Sequence, residues 1–147
     1  TKMEERDHFK RQIDLLGKVL GKLLTELIGQ KSKGGITDGI EITNQVLKDE
    51  MNIEVVDLIL IPNEQFIEFL KTKKLFNNNN LDQIAEILLL HIETNSVNNI
   101  KERDRLNLLE KCLTIYNYIQ ANDKTFSFDR NMKIQKINFL ISNELKS

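Results

Sequence analysis

Apolar residues recur along this chain at helical spacing almost from end to end. In the first segment Phe9, Ile13, Leu16, Leu20, Leu23 and Leu27 step by four, three, four, three and four residues, the 3.5-residue average of a coiled-coil seam. Leu24 and Ile28 widen the stripe, while Lys10, Arg11, Lys18, Lys22 and Glu26 fall off it. The pattern predicts a helix over residues 3–29, about 40 Å long at ~1.5 Å per residue. Gly17 and Gly21 lie one turn apart inside it. Each costs about 1 kcal/mol relative to Ala, and their small size would let another helix approach closely. Gly29 predicts the end of the helix, with a loop over residues 30–35.

A second helix is predicted from Asp38, with Glu41 as its capping-box partner, to about Met51, with Ile42, Val46 and Leu47 facing inward. Residues 53–61 read two ways. Their β-branched side chains suit a strand, yet a lone strand among helices has no partner, so a short helix fits better. Pro62 suits the first turn of the next helix, which turns Phe66, Ile67, Phe69 and Leu70 inward and frays through Lys71 to Lys74.

The run Asn77-Asn78-Asn79-Asn80 reads as a loop, and Asn80-Leu81-Asp82-Gln83 as a helix start. Ile84, Ile87, Leu88, His91 and Ile92 line one face of that helix. Asn99 with Glu102 predicts the start of another, reaching about Ala121. Its apolar residues span more than one face, from Leu106, Leu109, Leu113 and Tyr116 to Leu108, Cys112, Ile115 and Ile119. So wide an arc places a helix between two others. Ser127 and Asp129 open a last helix with Ile134, Ile137, Leu140 and Ile141 inside. The expected fold is all-α, with six or seven helices in antiparallel pairs. One domain spans residues 1–147: a long amphipathic helix over 1–30, short acidic helices over 37–75 and a three-helix part over 80–145.

The segments DHFKRQIDLLGKVLGKLL from Asp7 and YNYIQANDKTFSFDRNMKIQKI from Tyr116 resemble parts of an uncharacterised bacterial helical family, similar to tetratricopeptide-repeat proteins and of unknown function. The resemblance covers about a third of the chain and rests on apolar spacing. The Trp, Leu-Gly and Tyr consensus of such repeats is missing. It implies stacked helix pairs and brings no catalytic residues.

Composition narrows the function classes. The 147 residues hold 21 basic and 22 acidic side chains, too balanced for a generic polyanion binder. One cysteine, Cys112, excludes an intramolecular disulfide. The longest apolar runs, residues 58–61 and 87–90, are core-sized and far short of a membrane span. The chain is therefore expected to be soluble and cytoplasmic, without a nucleic-acid or membrane partner; a segment removed ahead of Thr1 stays an open alternative. Residues 36–70 carry eight acids (Asp38, Glu41, Asp49, Glu50, Glu54, Asp57, Glu64, Glu68) against Lys48 alone, which reads as a solvated face.

No residue pattern carries recognisable chemistry. Gln30-Lys31-Ser32 fails the phosphate-loop pattern because Gln30 stands where Gly is required. His91 sits on an apolar face and reads as a core imidazole, and His8 as solvated. Cys112 lies among apolar residues and reads as an inert thiol, with Lys111 projecting about 100° away from it. Phe126 and Phe128 are expected to pack where the last helix begins. No catalytic, metal or cofactor-binding residue is expected, and no cofactor. The expected function is a non-enzymatic protein–protein interaction module with an unidentified protein partner. The candidate surface is the stripe Phe9, Ile13, Leu16, Leu20, Leu23 and Leu27, which either closes over the core or pairs two copies as a homodimer through the N-terminal helix. The alternative is a small helical enzyme or ligand-binding bundle with a pocket near His91 and Cys112.

Overall fold

The computed structural model describes residues 2–33, 36–74, 76–94, 101–123 and 125–146, and every regular element among them is helical. The helices are α1 (Lys2–Lys33), α2 (Ile36–Met51), α3 (Val55–Leu60), α4 (Asn63–Glu68), α5 (Asn78–Thr94), α6 (Glu102–Asn122) and α7 (Phe128–Lys146). The all-α expectation holds, and residues 55–60 take the helical alternative.

α5 is the centre of the fold. Leu81, Ile84, Ala85, Ile87, Leu88, Leu89, Leu90, His91 and Ile92 are all buried, so its apolar surface extends beyond the single face predicted for it. A helix apolar all round must be enclosed, and α1, α2 and α6 pack against it. α6 also contacts α3, α4 and α7, in keeping with its wide apolar arc. The layers run α1, α5, α6, α7, with α2 beside α1 and α5.

α1 meets α5 along the second half of the predicted stripe. Leu20, Leu23 and Leu27 are fully buried in the chain's own core, and Leu16 packs partly against it. The three fully buried side chains are therefore occupied within the chain's own core. The side chains of Phe9 and Ile13 lie outside the described residues. Gly17 and Gly21 face α5, where a Cβ at either would meet Asn80 Nδ2 or Gln83 Nε2 at 3.7 Å, ordinary van der Waals contact. Gln83 Nε2 donates to the Gly17 carbonyl (3.1 Å), tying the two helices together.

Several helix ends differ from expectation. α1 continues through Gly29 to Lys33, which puts Gln30, Lys31 and Ser32 inside the helix. α2 begins at Ile36, so Asp38 lies within its first turn and does not precede it as a cap. Asn52, at φ 52°, provides the left-handed residue that closes α2, and the Ile53 N–H then reaches the Leu47 carbonyl (2.9 Å). After α4 the chain widens into a π-helical turn, Phe69–Lys73, where fraying was expected. α5 starts three residues early because Asn77, and not Asn80, is its cap. Asn77 Oδ1 accepts from Asn80 N (2.8 Å) and Asn80 Oδ1 accepts from Asn77 N (3.0 Å), a reciprocal box built from two asparagines. Half of the asparagine run is therefore the capping device of the central helix. α6 is preceded by Lys101 with no side-chain cap, and Asn99 lies outside the described residues. α7 is capped as predicted, with Ser127 Oγ accepting from Arg130 N (3.2 Å).

Two substitutions test this packing. Leu20→Ala is expected to cost about 3 kcal/mol and lower the melting temperature without changing the sedimentation mass. Gly21→Ala is expected to stabilise the fold by about 1 kcal/mol in denaturant melts, because the helix gains propensity and the Cβ has room.

Candidate functional site

The two residues of the pocket alternative do not converge. Cys112 Sγ lies against the Ala85 carbonyl (3.6 Å), and Arg105 Nη1 donates to the Ile92 carbonyl (3.4 Å). These contacts fix α5 and α6 as antiparallel. His91 is six residues beyond Ala85, about 9 Å along the axis, and so occupies a different layer from Cys112. Both are buried. Burial pushes the Cys112 thiol far above its ordinary range, the opposite of what a nucleophilic thiolate needs. Burial also lowers the His91 pKa to about 4, leaving a neutral imidazole at pH 7. Tyr116, fully buried one turn after Cys112, is likewise held protonated by desolvation and the nearby Asp82 carboxylate. Among the described residues no group of three His, Cys, Asp or Glu side chains could hold a metal ion, and no helix is long and apolar enough to cross a membrane.

Lys111 is the buried charge that the sequence reading missed. It is 1% exposed, donates from Nζ to Asn63 Oδ1 and stands 5.4 Å from the Phe66 ring centroid. Asn63 Nδ2 in turn donates to Glu110 Oε2 (3.4 Å). Desolvation lowers the Lys111 pKa, while Glu110 and Glu64 oppose that shift. The cluster fastens α4 to α6. Its signal was present in the spacing: Leu108, Lys111, Cys112 and Ile115 form an i, i+3, i+4, i+7 set, and all four are buried.

The main grooves are lined by other residues. One of about 470 Å³ lies between α1, the end of α2 and the π-helical turn, walled by Leu15, Leu16, Val19, Met51 and Phe76. Its Lys74 is engaged, since Nζ donates to the Met51 and Asn52 carbonyls (3.3 and 3.1 Å). A shallow second groove separates α4 and the π-helical turn from α6. There Lys71 Nζ donates to Tyr118 Oη at 2.6 Å and lies 5.1 Å from the ring centroid. The ammonium therefore extends the line of the C–O bond and does not sit over the ring face.

The most unusual surface is on α7. Ile137 is buried, with Ile134, Leu140 and Ile141 packed against the core, as predicted. At about 100° per residue the opposite side carries Phe128, Met132, Gln135 and Phe139 within an arc of about 60°. Phe128 is 70% exposed, Met132 50% and Phe139 64%, and the preceding loop adds Phe126 at 72%. The expected packing of Phe126 and Phe128 where α7 begins is therefore corrected. With Ser127 as the cap, Phe128 is the first helical residue, and the helix phase turns it away from α6. Met132 and Phe139 were missed, although their four–three–four spacing from Phe128 was visible. The charges that flank this face, Asp129 and Lys136, are each paired within the chain, Asp129 with Lys133 (3.0 Å) and Lys136 with Glu93 (2.5 Å). On the inner side Arg130 Nη2 bonds Asp123 Oδ2 (3.1 Å), and Lys133 also reaches Glu86 (3.4 Å). Hydrogen bonds from the Thr125 backbone and hydroxyl and from Arg130 hold the Asp123 carboxyl below its usual range. The face is thus apolar with neutralised flanks.

No family model, curated protein or solved structure matches this chain.

His91 gives the interior a pH signature. Between pH 6.5 and about 4 the unfolded chain binds a proton at this site that the folded chain refuses, so stability falls as pH falls through that window. The depression corresponds to about 3 kcal/mol. Denaturant melts at pH 7 and pH 4 are expected to differ by that much more in the wild type than in His91→Met.

Proposed function

We propose that the chain is a non-enzymatic helical protein–protein interaction module and that the outer side of α7 is its docking face. One observation carries this reading: the last layer of the stack turns Phe128, Met132 and Phe139 to solvent, while the core keeps the rest of α7's β-branched and aliphatic face. The terminal layer of a stacked helical protein ordinarily presents a polar outer side. A contiguous aromatic patch on a small folded chain marks a contact surface, and aromatic side chains and Met are enriched at such surfaces. The burial of Cys112 and His91 supports the same reading, because neither side chain is reachable from solvent and the Cys112 thiol is held protonated. A kinship with helix-repeat interaction proteins fits the layered order and belongs to this proposal.

The test is affinity capture from the native host with wild-type bait and with a Met132→Asp/Phe139→Asp bait, whose substitutions lie on the exposed face and leave the core intact. The expected result is a protein retained by the wild type and lost by the variant. Equal retention by the two baits moves the docking face elsewhere and overturns the assignment.

A further inference from the structure

Building on the reading of α7 as a docking face, we infer that its occupant is a second copy of this chain, laid antiparallel across the same face about a two-fold axis. Two properties of the face point to this partner. The first is the placement of charge. In heptad terms Phe128 and Gln135 hold one core position, and Met132 and Phe139 the other. The flank on one side is then Asp129, Lys136 and Asn143, and on the other Asn131, Asn138 and Leu145. Asp129 is 80% exposed at its side chain and Lys136 is 48% exposed. Antiparallel pairing that opposes Phe128 to Phe139 and Met132 to Gln135 also brings Asp129 of each copy beside Lys136 of the other, twice by symmetry. Parallel pairing would set Lys136 against the neutral Asn131 and Asp129 against a position ahead of α7, so the helix gains no ion pair from either. The charge pattern is thus complementary to itself only in the antiparallel sense, as a two-fold interface requires. Each group also has a contact within its own copy, Asp129 with Lys133 and Lys136 with Glu93. The cross-pairs extend those contacts into a network without leaving a charge stranded.

The second property is area. Phe128, Met132 and Phe139, each with about 200 Å² of side-chain surface and half or more exposed, present roughly 370 Å² per copy. Two copies together remove roughly 700 Å² of apolar surface, the scale of a weak, concentration-dependent interface. The stripe from Phe128 to Phe139 is about 16 Å long, and Gln135 near its middle fixes the register by facing Met132 and leaving the phenylalanines to each other.

Sedimentation of the full chain across a concentration series tests the proposal. The wild type is expected to pass from monomer to dimer by about 100 µM, and Phe139→Asp to weaken that self-association about tenfold or more while its helicity is unchanged. Asp129→Lys and Lys136→Asp, each alone, are expected to weaken it, and an equimolar mixture of the two variants to form a heterodimer more readily than either forms its homodimer. That mixing result separates antiparallel self-pairing from simple stickiness. A wild type that stays monomeric at that concentration overturns the proposal, as does a dimer insensitive to Phe139→Asp or a mixture without heterodimer preference. If the wild type is monomeric yet captures a host protein that the Met132→Asp/Phe139→Asp bait loses, self-pairing fails and the interaction reading stands.

Discussion

The fold depends on enclosing α5. A helix that buries Ile84, Ala85, Ile87, Leu88, Leu89, Leu90 and Ile92 cannot rest on one neighbour, because any side left open would expose several aliphatic chains at about 25 cal/mol per Å². α1 closes one side with Leu20, Leu23 and Leu27, α6 another with Leu108, Leu109, Cys112 and Ile115, and α2 contributes Leu47. The direction in which α5 enters this enclosure is set at its first turn by the Asn77–Asn80 box. Gln83 then ties it to the Gly17 carbonyl. Those few polar contacts orient what the apolar residues hold.

The polar groups that the enclosure traps are handled in two ways. His91 and Cys112 are kept in their uncharged forms by burial, so their burial costs little. At Lys111 burial lowers the pKa against the pull of Glu110 and Glu64, and the Asn63 carbonyl oxygen and the Phe66 ring partly replace the water its amino group loses. On the outside, α7 leaves Phe128, Met132 and Phe139 exposed, more apolar surface than its own packing uses.

Helix identity was legible because it depends on near neighbours. The i, i+3, i+4 spacing marked α1, α5, α6 and the inner side of α7, and the Ser127 cap was correctly placed. Boundaries were less legible where an unusual residue did the work. Asparagine at both ends of the α5 box stands where Ser or Thr with Glu or Gln is the common signal, so the cap was placed three residues late. Gly29 was read as a terminator, but a glycine inside a long helix carries only a modest penalty that neighbouring turns can offset. Lys111 shows the same limit. Its side chain type argued for solvent, and only the register of its neighbours argued for the core.

From the sequence alone came the helical character of the chain, the inward stripes of its main helices and the lack of a recognisable reactive motif, because each is written in residues a few positions apart. The tertiary structure decided which stripes found partners. Two stripes with the same heptad step, residues 16–27 on α1 and residues 128–139 on α7, differ as patterns only in the single polar Gln135 of the second. The first is spent on α5, and the second is left facing water, because coverage depends on which helices are neighbours in space and no local spacing encodes that.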